Sequence, residues 1–118
     1  MEKLVYLIRE RASRDGLTGL ANRSAFLEAL GDELRRRRAA PEHVPLAVLF
    51  IDLDRFKPVN DDHGHAVGDE VLAVVGARLG GSTRDDDLVA RFGGDEFVVL
   101  CRGAVEADDA AQVAERMV

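Results

Sequence analysis

The chain has 118 residues, 47% of them hydrophobic and 32% charged, which suits a single globular domain with one core. Its formal charge of -6 disfavours general binding to nucleic acid or to an anionic membrane, but it does not exclude nucleotides held through divalent cations. A single cysteine excludes a disulfide within the chain, and no stretch resembles a membrane span or a signal peptide. We therefore expect a cytoplasmic protein.

Two helices are predicted before the first strand. Residues 1–13 form a linker segment, in which apolar residues recur at helical spacing from Glu2 to Ala12. Asn22 begins the run Asn22-Arg23-Ser24, a candidate N-cap for the second helix. The apolar positions of that helix lie three or four residues apart and are Phe26, Leu27, Leu30 and Leu34. We expect it to end within residues 35–40, before Pro41.

One strand and one further helix are predicted in the middle of the chain. Leu46–Ile51 is continuously apolar between Pro45 and Asp52, which predicts a buried central strand. A 3.6-residue period from Ala66 to Leu79 then predicts a second core helix. Gly80-Gly81 is expected to stop this helix.

The last third of the chain predicts a β-hairpin. Leu88–Phe92 and Glu96–Cys101 have strand character and are separated by Gly93-Gly94-Asp95, whose glycines accept positive φ. A final helix is predicted over Asp108–Met117. The order of helices and strands around a hairpin favours an α/β sandwich whose central sheet contains antiparallel strands.

Three groups of residues have a structural explanation beside a functional one, and the structural one is favoured for each. The cations of Arg35–Arg38 could contact phosphates, but in a last helical turn they complement the helix dipole. Cys101 lies in an apolar strand and is expected to be a buried residue, not a reactive thiol. His63 and His65 resemble metal ligands by composition, yet they have no Cys or third His partner.

Carboxylates are concentrated at two ends of predicted strands. Asp52 and Asp54 follow the central strand, and alternation would put them on one face. Taken alone, they are more often turn formers or solvated charges. Asp95 and Glu96 lie at the hairpin, so the two acidic groups would meet if the hairpin pairs with the Asp52 strand. Such a site would suit Mg²⁺ and phosphoryl or nucleotidyl transfer.

A polar segment from Asn60 to Asp69 is predicted to be a loop that bends at its glycines and forms the wall of a pocket. The Asn60 amide and the Asp69 carboxylate suit the N1, N2 and O6 edge of guanine. On local evidence alone, Asp69 is better explained as a first-turn helix residue favoured by the dipole. Gly93 and Gly94 can let a ligand approach the backbone, or they can simply form the turn.

Three strings in the chain resemble, in order and spacing, the sequence blocks of GGDEF domains. They are DGLTGLANR at residues 15–23, FIDLDRFKPVNDDHGHAVGDEVL at residues 50–72 and RFGGDEF at residues 91–97. The resemblance covers almost everything after Arg14, and several ordered motifs are far more specific than one glycine-rich string. It implies a palm-like α/β sandwich similar to the catalytic domain of class III nucleotidyl cyclases.

The resemblance also implies roles for individual residues. Asp52 and Asp95, with the backbone carbonyl of Leu53, match the ligands of Mg²⁺ or Mn²⁺. Glu96 matches a residue near the ribose 3′-hydroxyl, where it either assists deprotonation or contacts a metal. The positions that match substrate contacts are Asn60 and Asp69 for guanine, Lys57 for phosphate, Phe56 beneath the site, and Gly93 and Gly94 against the nucleotide.

The activity implied by the resemblance is that of a diguanylate cyclase, which condenses two GTP into cyclic di-GMP and releases pyrophosphate. Each domain would hold one GTP, so the active species would be a homodimer, controlled by an upstream sensory or receiver domain. Arg84 and Asp87 fit the family's inhibitory RxxD motif, with Leu88–Phe92 as the spacer before Gly93. RxxD alone is a weak pattern, and a charged loop is the alternative.

The family pattern continues beyond Val118, so residues 14–118 are expected to be a GGDEF domain without its C-terminal part. That part carries Lys and Arg residues that bind GTP phosphates in the family. The main alternative function is therefore a catalytically inactive module that binds GTP or cyclic di-GMP. A cyclase for other purine nucleotides is a third hypothesis, which the carboxylate of Asp69 disfavours.

Overall fold

The computed structural model describes residues 12–39 and 45–103. In chain order, the elements are α1 (Arg23–Ala39), β1 (Ala47–Asp52), α2 (Phe56–His63), α3 (His65–Ser82), β2 (Leu88–Gly93) and β3 (Glu96–Cys101). The predicted α/β class, the three strands and the end predicted for the helix after Asn22, which is α1, are confirmed. The helix predicted at Asp108–Met117, and all but the last residue of the one at Glu2–Ala12, lie outside the described residues. Within the described ranges, no helix is both long and apolar enough to cross a membrane.

The sheet has the order β1-β3-β2, and both pairings are antiparallel. Strand β3 is central and is buried from Phe97 to Cys101. Among the described residues, β1 pairs with β3 alone and Phe50 is 78% exposed, so the central position predicted for this strand is not seen in this three-stranded sheet. An apolar run indicates burial but does not tell how many strands lie beside it.

Alternation along the strands divides the core into two layers. On one face of the sheet, Phe97, Val99 and Cys101 pack with Leu72 and Leu79 of α3. On the other face, a second cluster joins the sheet to α1 and consists of Phe26, Ala90, Val98 and Leu100. The predicted burial of Cys101 is confirmed, and burial raises the pKa of its thiol, with a further contribution from the charge of Asp87. This thiol is therefore a core group.

Helix α1 begins as the sequence predicts, because the Asn22 side-chain oxygen accepts a hydrogen bond from the Ala25 N–H at 2.9 Å. Its buried face differs from the prediction, since Leu27 and Leu34 are 48% and 44% exposed. The face that contacts the sheet contains Phe26 and Glu33 instead. Each of the two leucines follows a buried residue and is rotated from it by about 100° around the helix.

The buried carboxylate of Glu33 is surrounded by guanidinium groups. It pairs with Arg37 one turn later and lies 3.2 Å from Arg102 Nε at the end of β3. Arg37 Nη2 also donates to the Arg102 carbonyl at 3.0 Å. The cations at the end of α1 therefore do more than complement the dipole, because they compensate a buried charge and attach the helix to the sheet.

The helical region between β1 and β2 differs from the prediction at both ends. Residues from Asn60 to Asp69 are not a loop, because α2 and α3 are separated only by Gly64 at φ 86°. Helix α3 also continues through Gly80-Gly81 to Ser82. Hydroxyl groups satisfy carbonyls at this end: Ser82 donates to the Arg78 carbonyl and Thr83 to that of Gly80.

The segment before α1 is attached to the hairpin through Arg91. The Ala21 backbone bridges β2, accepting a bond from the Arg91 N–H at 3.0 Å. The Arg91 Nη1 donates to Asp15 at 3.0 Å, and its Nε and Nη2 donate to the Gly94 carbonyl in the turn. Asp15 also accepts hydrogen bonds from the N–H and hydroxyl of Thr18. One guanidinium thus joins the N-terminal motif to the hairpin turn.

The ionisation of Asp15 depends on this arrangement. Burial alone would raise the pKa of Asp15, but the hydrogen bonds from Thr18 and the charge of Arg91 outweigh it and lower that pKa below its usual value. A folded-state pKa below the unfolded one means that the carboxylate stabilises the fold above about pH 4. That contribution is lost as the pH falls through the folded-state pKa.

Asp15→Asn is expected to lower the free energy of unfolding by about 2 kcal/mol at pH 7, because a charge-assisted bond to a nearly buried guanidinium is lost. The difference from the parent protein should shrink below about pH 4, where the parent carboxylate becomes protonated. Denaturant unfolding across pH 3–8 measures the free-energy difference at pH 7 and its decrease at low pH. Asp32→Asn, in an exposed pair with Arg35, is the matched control and should change stability by less than about 0.5 kcal/mol. A constant difference at every pH would contradict this account of Asp15.

Candidate active site

The two acidic groups predicted from the sequence meet at one end of the sheet. In the β1–β3 register, Asp52 lies directly opposite Glu96. The Leu53 N–H, just beyond β1, donates to the Asp95 carbonyl at 3.3 Å. The expectation that the hairpin pairs with the Asp52 strand is therefore confirmed.

Asp54 does not share this arrangement. The alternation expected to place it with Asp52 stops, because β1 ends at Asp52 and Asp54 lies in a turn. Arg55 follows it with a left-handed backbone, φ 61° and ψ 26°, and precedes α2. Both aspartates are exposed, but only Asp52 has a strand partner at the acidic edge.

The acidic edge consists of Asp52, Leu53, Asp95 and Glu96, and its chemistry fits a hard divalent cation. Carboxylate and carbonyl oxygens are the ligands that Mg²⁺ prefers, and one or two carboxylates with substrate phosphates complete its usual shell. Among the described residues, no three His, Cys, Asp or Glu side chains converge as a ready-made metal cage.

The hairpin turn leaves open space beside this edge. Gly93 and Gly94 have φ values of 141° and 53°, so the positive φ predicted for both is confirmed. The strand register shifts between Arg91 and Gly93. A Cβ added to either glycine would meet nothing within 4 Å. A ligand can therefore approach the turn backbone, while the Arg91 guanidinium holds the Gly94 carbonyl by two hydrogen bonds.

An apolar cavity of about 310 Å³ adjoins the carboxylates. Its lining residues are Phe50, Ile51, Asp52, Phe92, Glu96 and Phe97. Phe92 packs edge-on against Phe26 at 5.3 Å between ring centroids, and the Arg23 guanidinium lies 5.4 Å from its ring. Neither Phe50 nor Phe92 was predicted as a site residue. Phe50 lies two residues before Asp52 on β1, but it shares a cavity with Phe92 only because β1 and β2 both pair with β3.

The other predicted contact residues lie on the two helices after β1. Phe56 is buried at the start of α2, and Lys57 beside it is exposed. Asn60 is half-buried on α2, and Asp69 is exposed on α3, one residue after the buried Gly68. His63 and His65, at the facing ends of the two helices, belong to no metal-binding group among the described residues.

Arg84 and Asp87 form one compact turn before β2. The Arg84 N–H donates to the Asp87 carboxylate at 3.1 Å, and the Asp87 N–H donates to the Arg84 carbonyl at 3.0 Å. Arg102 Nη1 lies 3.4 Å from the Asp86 carbonyl. The turn thus holds Arg84 and Asp87 close together, with the Arg84 residue exposed to solvent.

Known proteins are similar to this chain in sequence and in fold. The family described as "Diguanylate cyclase, GGDEF domain" matches residues 12–118. The diguanylate cyclase TpbB of Pseudomonas aeruginosa is 46% identical over 112 residues, which are 94% of this chain and 25% of TpbB. The chain therefore spans about a quarter of that relative's length.

Two solved structures extend the comparison to the fold. The GGDEF domain of TpbB superposes with a TM-score of 0.81 at 47% identity, covering 88% of this chain and 59% of that one. The coiled coil and GGDEF domain of DgcB from Caulobacter crescentus, in complex with c-di-GMP, gives a TM-score of 0.88 at 29% identity, covering 98% of this chain and 59% of that one. With its acidic sheet edge and glycine turn, this chain belongs to the GGDEF domain family of diguanylate cyclases.

Proposed function

We propose that this protein takes part in joining two GTP molecules into cyclic di-GMP, with release of pyrophosphate. The observation that carries the proposal is the β1–β3 register, which brings Asp52, Asp95 and Glu96 of separate motifs to one sheet edge. Family membership, and a neighbour solved with c-di-GMP, support the same chemistry. Because GTP is a cytoplasmic nucleotide, we infer the same compartment for the protein.

In this proposal, Asp52, Asp95 and the Leu53 carbonyl hold Mg²⁺ or Mn²⁺. When bound, the cation lowers the pKa of a coordinated hydroxyl and neutralises charge on phosphates. The open turn at Gly93-Gly94 leaves room for the phosphates to approach the same edge. Lys57, exposed at the start of α2, supplies a cation for phosphate, and the buried Phe56 anchors that helix beneath the site.

Guanine recognition is assigned to Asn60 and Asp69. The Asp69 carboxylate is an acceptor that pairs with the N1 and N2 hydrogens of guanine, and the Asn60 amide adds a further polar contact. Both side chains come from helices, which hold them more firmly than a loop would.

The reaction follows from placing two such sites opposite each other. The 3′-oxygen of one GTP attacks the α-phosphorus of the other, a new P–O bond forms, and the bond from the α-phosphorus to the bridging oxygen breaks. The electron pair leaves with pyrophosphate, and Glu96 receives the hydroxyl proton. A second attack closes the ring. Since each domain offers one guanine site, we infer a two-fold homodimer whose geometry an upstream sensory or receiver domain controls.

Product inhibition is assigned to the turn that holds Arg84 and Asp87. A guanidinium can pair with phosphate and with a guanine edge, and a neighbouring carboxylate can accept from guanine. Two hydrogen bonds close this turn, one from the Arg84 N–H to the Asp87 carboxylate and one from the Asp87 N–H to the Arg84 carbonyl. They support the assignment, because they keep the two residues together without using the Arg84 side chain.

An inactive GTP or cyclic di-GMP binding module remains the second candidate. It is supported by the DgcB neighbour solved in complex with c-di-GMP, because binding of this nucleotide does not require turnover. Binding without turnover, by this chain and by a longer one, would support this alternative.

Asp95→Ala is expected to lower cyclic di-GMP formation at least about 100-fold, because a carboxylate next to the reacting phosphates is lost. The assay supplies GTP and Mg²⁺ to this chain and to a longer chain that includes the remainder of a GGDEF domain, and quantifies cyclic di-GMP by chromatography. Glu28→Ala, an exposed acid on α1, is the matched control and should keep parental activity. Absence of product from the longer parental chain would overturn the enzyme proposal.

Arg84→Ala is expected to raise the concentration of cyclic di-GMP that halves the rate by about tenfold or more, because a charge-assisted contact to phosphate is lost. The initial rate without product should stay the same. Arg78→Ala removes an exposed arginine on α3 and serves as the control. Unchanged inhibition in Arg84→Ala would leave Arg84 as a solvated loop charge.

A further inference from the structure

Gly68 on α3 lies directly against the side chain of Asn60 on α2. A Cβ added to Gly68 would stand 1.7 Å from Asn60 Oδ1 and 2.9 Å from Asn60 Cγ, far inside van der Waals contact. The Phe56 ring, at 3.4 Å, bounds the same space. The observed position of Asn60 therefore requires the residue at position 68 to have no side chain.

This contact buries one end of the Asn60 amide. Asn60 Oδ1 is one of two buried side-chain polar atoms without a hydrogen-bond partner in the described part of the chain. A buried unpaired oxygen is unfavourable, so the packing of α2 on α3 and not hydrogen bonding holds it there. With the oxygen covered by Gly68, the amide nitrogen is the remaining polar end of the side chain, and it can only donate.

A conformational need for glycine does not explain this position. Gly68 lies within α3 and its backbone is not in the positive-φ region, unlike that of Gly64 at φ 86°. Glycine in a helix is less favourable than alanine, so a steric reason is needed for it here. Gly81 on the same helix has nothing within 4 Å of an added Cβ and thus offers a matched comparison.

We propose that Gly68 is a positioning residue that seats Asn60 with its amide donor outward and so sets the preference for guanine. This inference rests on the proposed function. An outward donor matches the O6 acceptor of guanine and meets a donor, the N6 amine, at the same place on adenine. Asp69, the next residue on α3, contributes an acceptor, so the two side chains present complementary groups.

Binding of GTP and ATP to four variants tests the proposal. Gly68→Ala should weaken GTP binding about tenfold with little change for ATP, because one hydrogen bond to guanine is lost. Gly81→Ala should bind both nucleotides as the parent does. Asn60→Ala should lose as much affinity for GTP as Gly68→Ala does. The Asn60→Ala/Gly68→Ala double variant should lose no more GTP affinity than either single variant. The Asn60 side-chain amide resonance should move in Gly68→Ala and stay unchanged in Gly81→Ala.

The outcomes separate this inference from the function on which it rests. If Asn60→Ala leaves GTP binding intact, the guanine role in the proposed function is wrong. If Asn60→Ala weakens binding but Gly68→Ala does not, the positioning role alone is overturned, as it is by additive losses in the double variant. Should Gly68→Ala fail to fold, removal of the Asn60 amide must restore folding; a double variant that stays unfolded would also overturn the inference.

Discussion

The antiparallel pairing of β1 with β3 is the constraint on which the candidate site depends. It places Asp52 opposite Glu96 and brings Leu53 to Asp95, although the two segments are about forty residues apart in the sequence. A register shift of one residue would turn every side chain of β1 to the other face of the sheet. The apolar alternation that fills the two core layers therefore also fixes the position of the carboxylates.

The hairpin turn needs a second attachment, because two glycines give it little intrinsic rigidity. Arg91 supplies it by joining the Gly94 carbonyl to Asp15, and Asp15 is held by Thr18. Thr18 in turn packs against Gly76 of α3, where an added Cβ would come within 3.0 Å of it. Helix, N-terminal loop and turn thus form one connected support for the acidic edge.

The sequence allowed prediction of features that depend on local chemistry, such as the glycine turn, the Asn22 cap and the acidic ends of the strands. It did not reveal α2, because that helix is short and polar and buries chiefly Phe56. The end of α3 was placed too early, since hydroxyl capping after Gly80-Gly81 outweighs the low helix propensity of glycine. The pairing of β1 with β3 and the Arg91–Asp15 link depend on contacts between distant segments, which local patterns do not encode.

The most direct test of the account locates the cation. Crystals grown with Mn²⁺ and a non-hydrolysable GTP analogue would give an anomalous scattering peak for manganese. We expect this peak at the sheet edge, with Asp52 and Asp95 among the ligands and the nucleotide phosphates completing the shell. A bound nucleotide whose manganese contacts neither aspartate would contradict the central claim that strand pairing builds the catalytic centre.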